Sequence, residues 1–133
     1  MKIAGRQSRH ATGAGFARLL CSAAFFALGG CGRTNEAVQA IGNPDHGAII
    51  ITRMACGSCH RIPGIEEANG TVGPSLAHFG SRQMIVGVLA NSPQNLFRYL
   101  KSPQSAVKGN YMPDQRLSDQ QVRDAAAYLY TLR

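Results

Sequence analysis

The run Cys56-Gly57-Ser58-Cys59-His60 sets two thiols three positions apart and follows them at once with an imidazole. On a short helical turn both sulfurs reach the two vinyl groups of one porphyrin, and the imidazole is held under the ring where it ligates iron. The spacing reads as a covalent attachment site for c-type haem, with Cys56 and Cys59 forming thioethers and His60 as one axial ligand. Two other chemistries compete for the same residues. A closed zinc site needs about four ligands, and no second cysteine pair follows Cys59. A thiol–disulfide redox pair wants a βαβ setting, and the chain shows none. The haem reading is the stronger one.

A low-spin electron-transfer haem usually takes a second protein ligand, and the candidates are Met54, Met84, Met112, His46 and His78. Met54 lies on the segment feeding the attachment turn, and Met84 stands beside Ile85 and Val88. Both read as core residues. His46 and His78 read as surface or structural histidines. Met112 sits in a loop, followed by Pro113, whose ring stiffens the backbone. It is the expected distal ligand.

Charge says less than it first suggests. The formal net charge of the 133-residue chain is +7, but Lys2, Arg6, Arg9 and Arg18 precede residue 31 and no acidic residue does. The remainder is close to balance, with no basic run interleaved with aromatics, so nucleic acid is not an expected partner. The basic start leads into the uncharged run Leu19–Gly30. As a helix that run covers roughly 18 Å, short of the roughly 30 Å hydrocarbon core, and it reads as the apolar part of a signal peptide over residues 1–30. It ends in Leu28-Gly29-Gly30-Cys31, which resembles the lipobox of bacterial lipoproteins, so Cys31 is the expected lipid acceptor. Residues 31–43 are mainly polar and without clear period. They read as a lipid-anchored flexible tether, reaching roughly 40 Å at full extension. Cys21 falls in the discarded segment, and no disulfide is expected.

The elements that must position the site begin after the tether. Asp45 caps a helix carrying Ile49, Ile50, Ile51 and Met54 into the attachment turn. Residues 61–81, rich in Gly and Pro, read as loop. Arg82–Ala90 reads as weakly helical. Ser92 and Pro93 supply a cap and a first helical residue for a helix with Leu96, Phe97 and Leu100 inward, ending before Pro103. A loop from Pro103 to Leu117 follows. Ser118 and Gln121 form a capping box for a terminal helix with Val122, Ala125, Leu129 and Leu132 on one face. The expectation is a small all-α domain over residues 44–133, three to five helices with long loops wrapped around one haem. A domain this small buries little core of its own, and a haem would supply apolar surface for those loops.

Residues 44–133 resemble a class I cytochrome c, on the motifs Cys-Gly-Ser-Cys-His at 56–60, Gly73-Pro74-Ser75-Leu76 and Met112-Pro113. More narrowly, Val72–Arg82, the segment from Ser92 to Leu96 and Lys108–Pro113 resemble the cytochrome c domain fused to subunit II of some bacterial haem-copper oxidases. The resemblance implies that the Pro74 carbonyl hydrogen-bonds the outer nitrogen of His60, and that Arg82 and Tyr99 stand near the haem propionates. It implies close helix crossing at Gly47, against Tyr128. The two transmembrane helices and copper domain of such a subunit are not in the sequence, so the expectation is its cytochrome module on a separate lipid anchor.

The function these readings imply is single-electron shuttling by one covalently attached haem c in a respiratory chain, without a small-molecule substrate and without catalysis by the chain itself. The expected place is the extracytoplasmic, periplasmic face of a bacterial membrane. The expected partners are redox proteins, an oxidase, a dehydrogenase or another cytochrome, with Arg61, Arg82, Arg98, Lys101 and Lys108 available to steer docking. A haem-based sensor or ligand binder, and a non-catalytic cytochrome subunit of an oxidoreductase complex, are the alternatives.

Overall fold

In the computed structural model residues 32–133 are described; the expected signal peptide and the expected lipid acceptor Cys31 lie outside them. Five α-helices and one short hairpin run through these residues, matching the all-α expectation. The terminal helix, Asp119–Thr131, is built as its sequence dictates. The Ser118 side chain accepts from the Gln121 amide at 3.3 Å while the Gln121 side chain accepts from the Ser118 amide at 2.8 Å. Those two bonds satisfy donors that a helix start otherwise leaves unpaired. Its Val122, Ala125, Ala126, Ala127 and Leu129 are buried and form the middle of the core.

The helix that feeds the attachment turn, Pro44–Arg53, crosses this terminal helix at Gly47. A Cβ on Gly47 would overlap the carbonyl of Asp124 and come within 2.9 Å of the Tyr128 Cβ. Only glycine permits that approach. The cap differs from the expected Asp45. Asn43 accepts from the amides of Asp45 and His46 at 2.9 and 3.1 Å, with Pro44 as first helical residue. Pro44 has no N–H to be capped, so the side chain one position earlier reaches the first free donors.

Part of the span expected to form a flexible tether is helical. Gly32–Gln39 is a helix, α1, and Val38 on it is buried. Ala40, Ile41 and Gly42 donate to the carbonyls of Glu36 and Val38, and the Asn43 amide donates to the buried carboxylate of Asp124 at 2.9 Å. The missing apolar period is explained by how little contact is needed. One valine and a glycine pressed on the backbone of Arg123 seat the segment. In chain order the remaining elements are α2 (Pro44–Arg53), β1 (Met84–Ile85), β2 (Leu89–Ala90), α3 (Pro93–Lys101), α4 (Pro103–Ala106) and α5 (Asp119–Thr131), with 3₁₀ turns at Cys56–Ser58 and Phe79–Ser81.

Two further expectations change. Arg82–Ala90 is not helical: β1 and β2 pair antiparallel, Met84 opposite Ala90 and Ile85 opposite Leu89. The strand alternation turns Ile85 into the core and leaves Met84 exposed, so Met84 is not a core residue. The loop after Pro103 begins with a helical turn, α4, anchored by the fully buried Pro103. The expected α3 stands as read, with the Ser92 side chain accepting from the Asn95 amide and Leu96 and Leu100 buried. No helix among the described residues is long and apolar enough to cross a membrane.

Candidate haem-attachment site

The attachment residues occupy a tight turn directly after α2. Ala55 takes a left-handed conformation (φ 52°) to leave the helix, and Cys56–Ser58 forms the 3₁₀ turn. The amides of Cys59 and His60 both donate to the Cys56 carbonyl, at 3.3 and 3.0 Å, so both thiols and the imidazole belong to one hydrogen-bonded unit. A second segment runs alongside and holds it. The Gly70 amide donates to the Gly57 carbonyl at 3.0 Å, Gly73 to Cys59 at 2.8 Å and Leu76 to Arg61 at 2.8 Å.

That segment also orients the histidine. The His60 Nδ1 lies 2.8 Å from the Pro74 carbonyl oxygen. A carbonyl only accepts, so Nδ1 carries the hydrogen and Nε2 keeps its lone pair. Gly73 lies flat against the ring: a Cβ there would come within 2.7 Å of Nδ1. Burial pushes the Cys56 thiol up from its ordinary range, with Cys59 adding to the effect and a backbone hydrogen bond partly offsetting it. At neutral pH Cys56 is therefore a protonated thiol.

Met112 is half-buried in a loop and packs against the core. Its amide donates to the Asn110 Oδ1 at 2.9 Å, and its carbonyl accepts from the Gln104 Nε2 at 3.0 Å. Sequence reasoning missed both partners. An asparagine two residues before Met112 is an Asx-turn signal, but the role of Gln104 depends on α4, which was itself missed. Arg82 donates to the carbonyls of Ser75 and Ala77, and its guanidinium stands 5.8 Å from the centre of the Phe79 ring. The hydroxyl of half-buried Tyr99 is 3.4 Å from Asn110 Oδ1.

The other candidates separate cleanly. Met54 caps the end of α2 and is half-buried against the core, while His46 and His78 are exposed. Among the described residues no three His, Cys, Asp or Glu side chains are grouped to hold a metal ion, so the zinc reading finds no ligand cluster. The only sheet among them is the two-stranded hairpin, which is no βαβ frame for a thiol–disulfide pair. Of the five expected docking cations, Lys101 is bound to Asp119, Arg98 bonds Asn95 at 3.1 Å, and Arg82 is turned to loop carbonyls. Arg61 and Lys108 are exposed.

The family model for cytochrome c matches residues 45–133. The chain belongs to the cytochrome c family. Its cofactor is therefore a covalently attached haem c, and its chemistry is haem-based electron transfer. Curated relatives include the "Cytochrome c oxidase subunit 2" of Alkalihalophilus pseudofirmus, 32% identical over 90 residues, 67% of this chain and 25% of that protein. The proteins of the same name from Bacillus sp. (strain PS3) and Bacillus subtilis are 31% and 34% identical, covering 62% and 65% of this chain and 24% and 26% of those. The chain thus spans about a quarter of the length of these relatives. No solved structure gives a significant match.

The residues present fit a haem. Two free thiols stand on one turn, and an imidazole is locked with Nε2 as its basic nitrogen. Cys56, Leu76, Tyr99 and Met112 are all half-buried and packed on the core, so each offers apolar surface of the kind a large planar ring needs.

Proposed function

We propose that this chain is a monohaem c-type cytochrome that passes single electrons between protein partners in a respiratory chain on the extracytoplasmic face of a bacterial membrane. The observation that carries the site reading is the His60–Pro74 contact. It presets the imidazole tautomer and raises ligand basicity, as outer partners of metal-bound histidines do. Cys56 and Cys59 would hold the group covalently, each thiol adding across a vinyl group with sulfur to one carbon and hydrogen to the other, so that no oxidant is needed. His60 Nε2 and the Met112 thioether would hold the iron, and Tyr99 and Arg82 would contact the propionates. Arg82 keeps donors beyond those spent on Ser75 and Ala77, since a guanidinium has five.

Haem c supplies the one-electron couple; the chain positions it and excludes water. A soft thioether favours the ferrous state. With His60 and Met112 both holding the iron, no position would be left for a substrate, which supports a carrier rather than a catalyst. The relatives that carry this domain are oxidase subunits by name, so an oxidase is the favoured partner, with a dehydrogenase or another cytochrome next. Acylation at Cys31 anchors the chain. α1 begins at the next residue, and acylation there would tie the domain to the membrane surface.

The test is expression with a haem-attachment system. Haem staining that survives denaturation, absent from a Cys56→Ser/Cys59→Ser variant, is required. Met112→Ala must change the ferric spectrum and the midpoint potential; no change would remove Met112 as the distal ligand. Mass spectrometry of the mature N-terminus must show an acylated Cys31.

A further inference from the structure

Asn110 uses its side chain to full capacity. Its Nδ2 donates one hydrogen to the Pro103 carbonyl at 2.7 Å and the other to the Val107 carbonyl at 2.6 Å. Its Oδ1 accepts the Met112 amide at 2.9 Å, with the Tyr99 hydroxyl more distant at 3.4 Å. The network fixes the orientation of the carboxamide, because two carbonyls must face its nitrogen and an amide N–H its oxygen. Gln104, on α4, closes the loop from outside: its Nε2 donates to the carbonyls of both Asn110 and Met112, at 2.7 and 3.0 Å.

Both backbone polar groups of Met112 are thereby held by side chains, and Pro113 after it has no N–H. The chain of support runs inward. Pro103 is fully buried, Asn110 hangs from its carbonyl, and Met112 hangs from Asn110. None of the hydrogen bonds in this bracket uses the Met112 side chain, which is left free to act as a ligand.

We propose that Asn110 and Gln104 are positioning residues that hold Met112 in place as an iron ligand and set how readily it gives way to an external ligand. The proposal rests on the reading of Met112 as the distal ligand. Moving the Met112 backbone outward breaks the hydrogen bonds of the bracket, each of which adds to the cost of that opening. A weakened bracket leaves the covalent attachment intact and shifts the arm towards its open form.

The test uses the holoprotein, with imidazole as the competing ligand and the far-red band of thioether-ligated ferric haem as the optical marker. Asn110→Ala is expected to raise imidazole affinity about tenfold to a hundredfold and to weaken the marker band. Gln104→Ala changes an exposed residue and folds even if Asn110→Ala does not; about a threefold to tenfold rise is expected from it. Gln115→Ala is the control, since the Gln115 side chain bonds the Pro113 carbonyl at 2.8 Å outside the bracket, and it should change neither readout. If Met112→Ala abolishes the band while Asn110→Ala and Gln104→Ala both leave band and affinity unchanged, the bracket proposal alone is overturned. An equal effect from Gln115→Ala also overturns it, because the loop would then be generally fragile. If Met112→Ala itself changes neither readout, the ligand reading falls and the bracket proposal falls with it.

Discussion

The Nδ1 of His60 and the carbonyl oxygen of Pro74 stand 2.8 Å apart, and Gly73 between them in sequence lies against the imidazole face. Those two contacts act together: the carbonyl sets the tautomer, and the missing side chain lets the loop come close enough to do so. Gly73→Ala should push the ring off Pro74. Losing a hydrogen bond worth about 0.5–1.5 kcal/mol makes His60 a weaker electron donor, which favours the ferrous state. At 59 mV per tenfold for one electron, the midpoint potential should rise by about 20–60 mV. Potentiometric titration of the two proteins checks it, and an unchanged or lower potential would sink the argument.

Gly47 has a different reason to be glycine. Its contact is with the backbone of α5, which cannot move aside as a flexible side chain would. Gly47→Ala should gain about 1 kcal/mol of helix propensity and lose about 3 kcal/mol to overpacking. The net loss of about 2 kcal/mol is readable as a lower urea midpoint.

Elements whose signals are local were legible before the structure. Ser118 with Gln121, and Ser92 with Pro93, announce α5 and α3 because a cap is chemistry within four residues. The Cys56–His60 motif was legible for the same reason. The hairpin was not, because Ile85, Val88 and Leu89 recur at spacings that serve a helix as well as a strand. What separates the two is the turn. Val86 and Gly87 both have positive φ, 53° and 73°, as a type I′ turn requires, and Val86 is a residue that ordinarily avoids it. The Asn110 bracket was hidden because its acceptors are carbonyls of Pro103 and Val107, which no side-chain pattern records. α1 was hidden because its seat is a tertiary contact through Val38 and Gly42.

That seat makes a prediction about motion. A free leash would exchange its amide hydrogens at the rate of an unstructured peptide. Here the amides of Ala40, Ile41 and Asn43 are bonded to Glu36, Val38 and Asp124 at 2.9–3.0 Å. Hydrogen exchange should show protection from Ala40 to Asn43 in the wild type. Val38→Asp, which buries a charge against α5, should abolish protection there while leaving residues 122–130 protected. Unprotected wild-type amides over 40–43 would restore the tether.

Lys101 near the end of α3 and Asp119 at the start of α5 are joined at 2.6 Å, and Lys101 also donates to the Leu117 carbonyl at 3.0 Å. The hydrogen bond and charge of Lys101 hold the Asp119 carboxyl below its ordinary range, against a smaller opposing effect of desolvation. A carboxyl whose pKa is lower in the folded than in the unfolded chain stabilises the fold above the unfolded value, about 3.9. That contribution disappears as pH falls through the folded value. Wild type should therefore exceed Asp119→Asn in stability by a constant margin between about pH 5 and pH 7, and the margin should narrow below about pH 4. The pair is exposed, so the margin is small and should shrink further in high salt. Urea midpoints of both proteins across that pH range, at low and high ionic strength, measure it directly. A margin that widened on acidification would mean that Asp119 is destabilising as a carboxylate and that Lys101 owes its position to Leu117 alone.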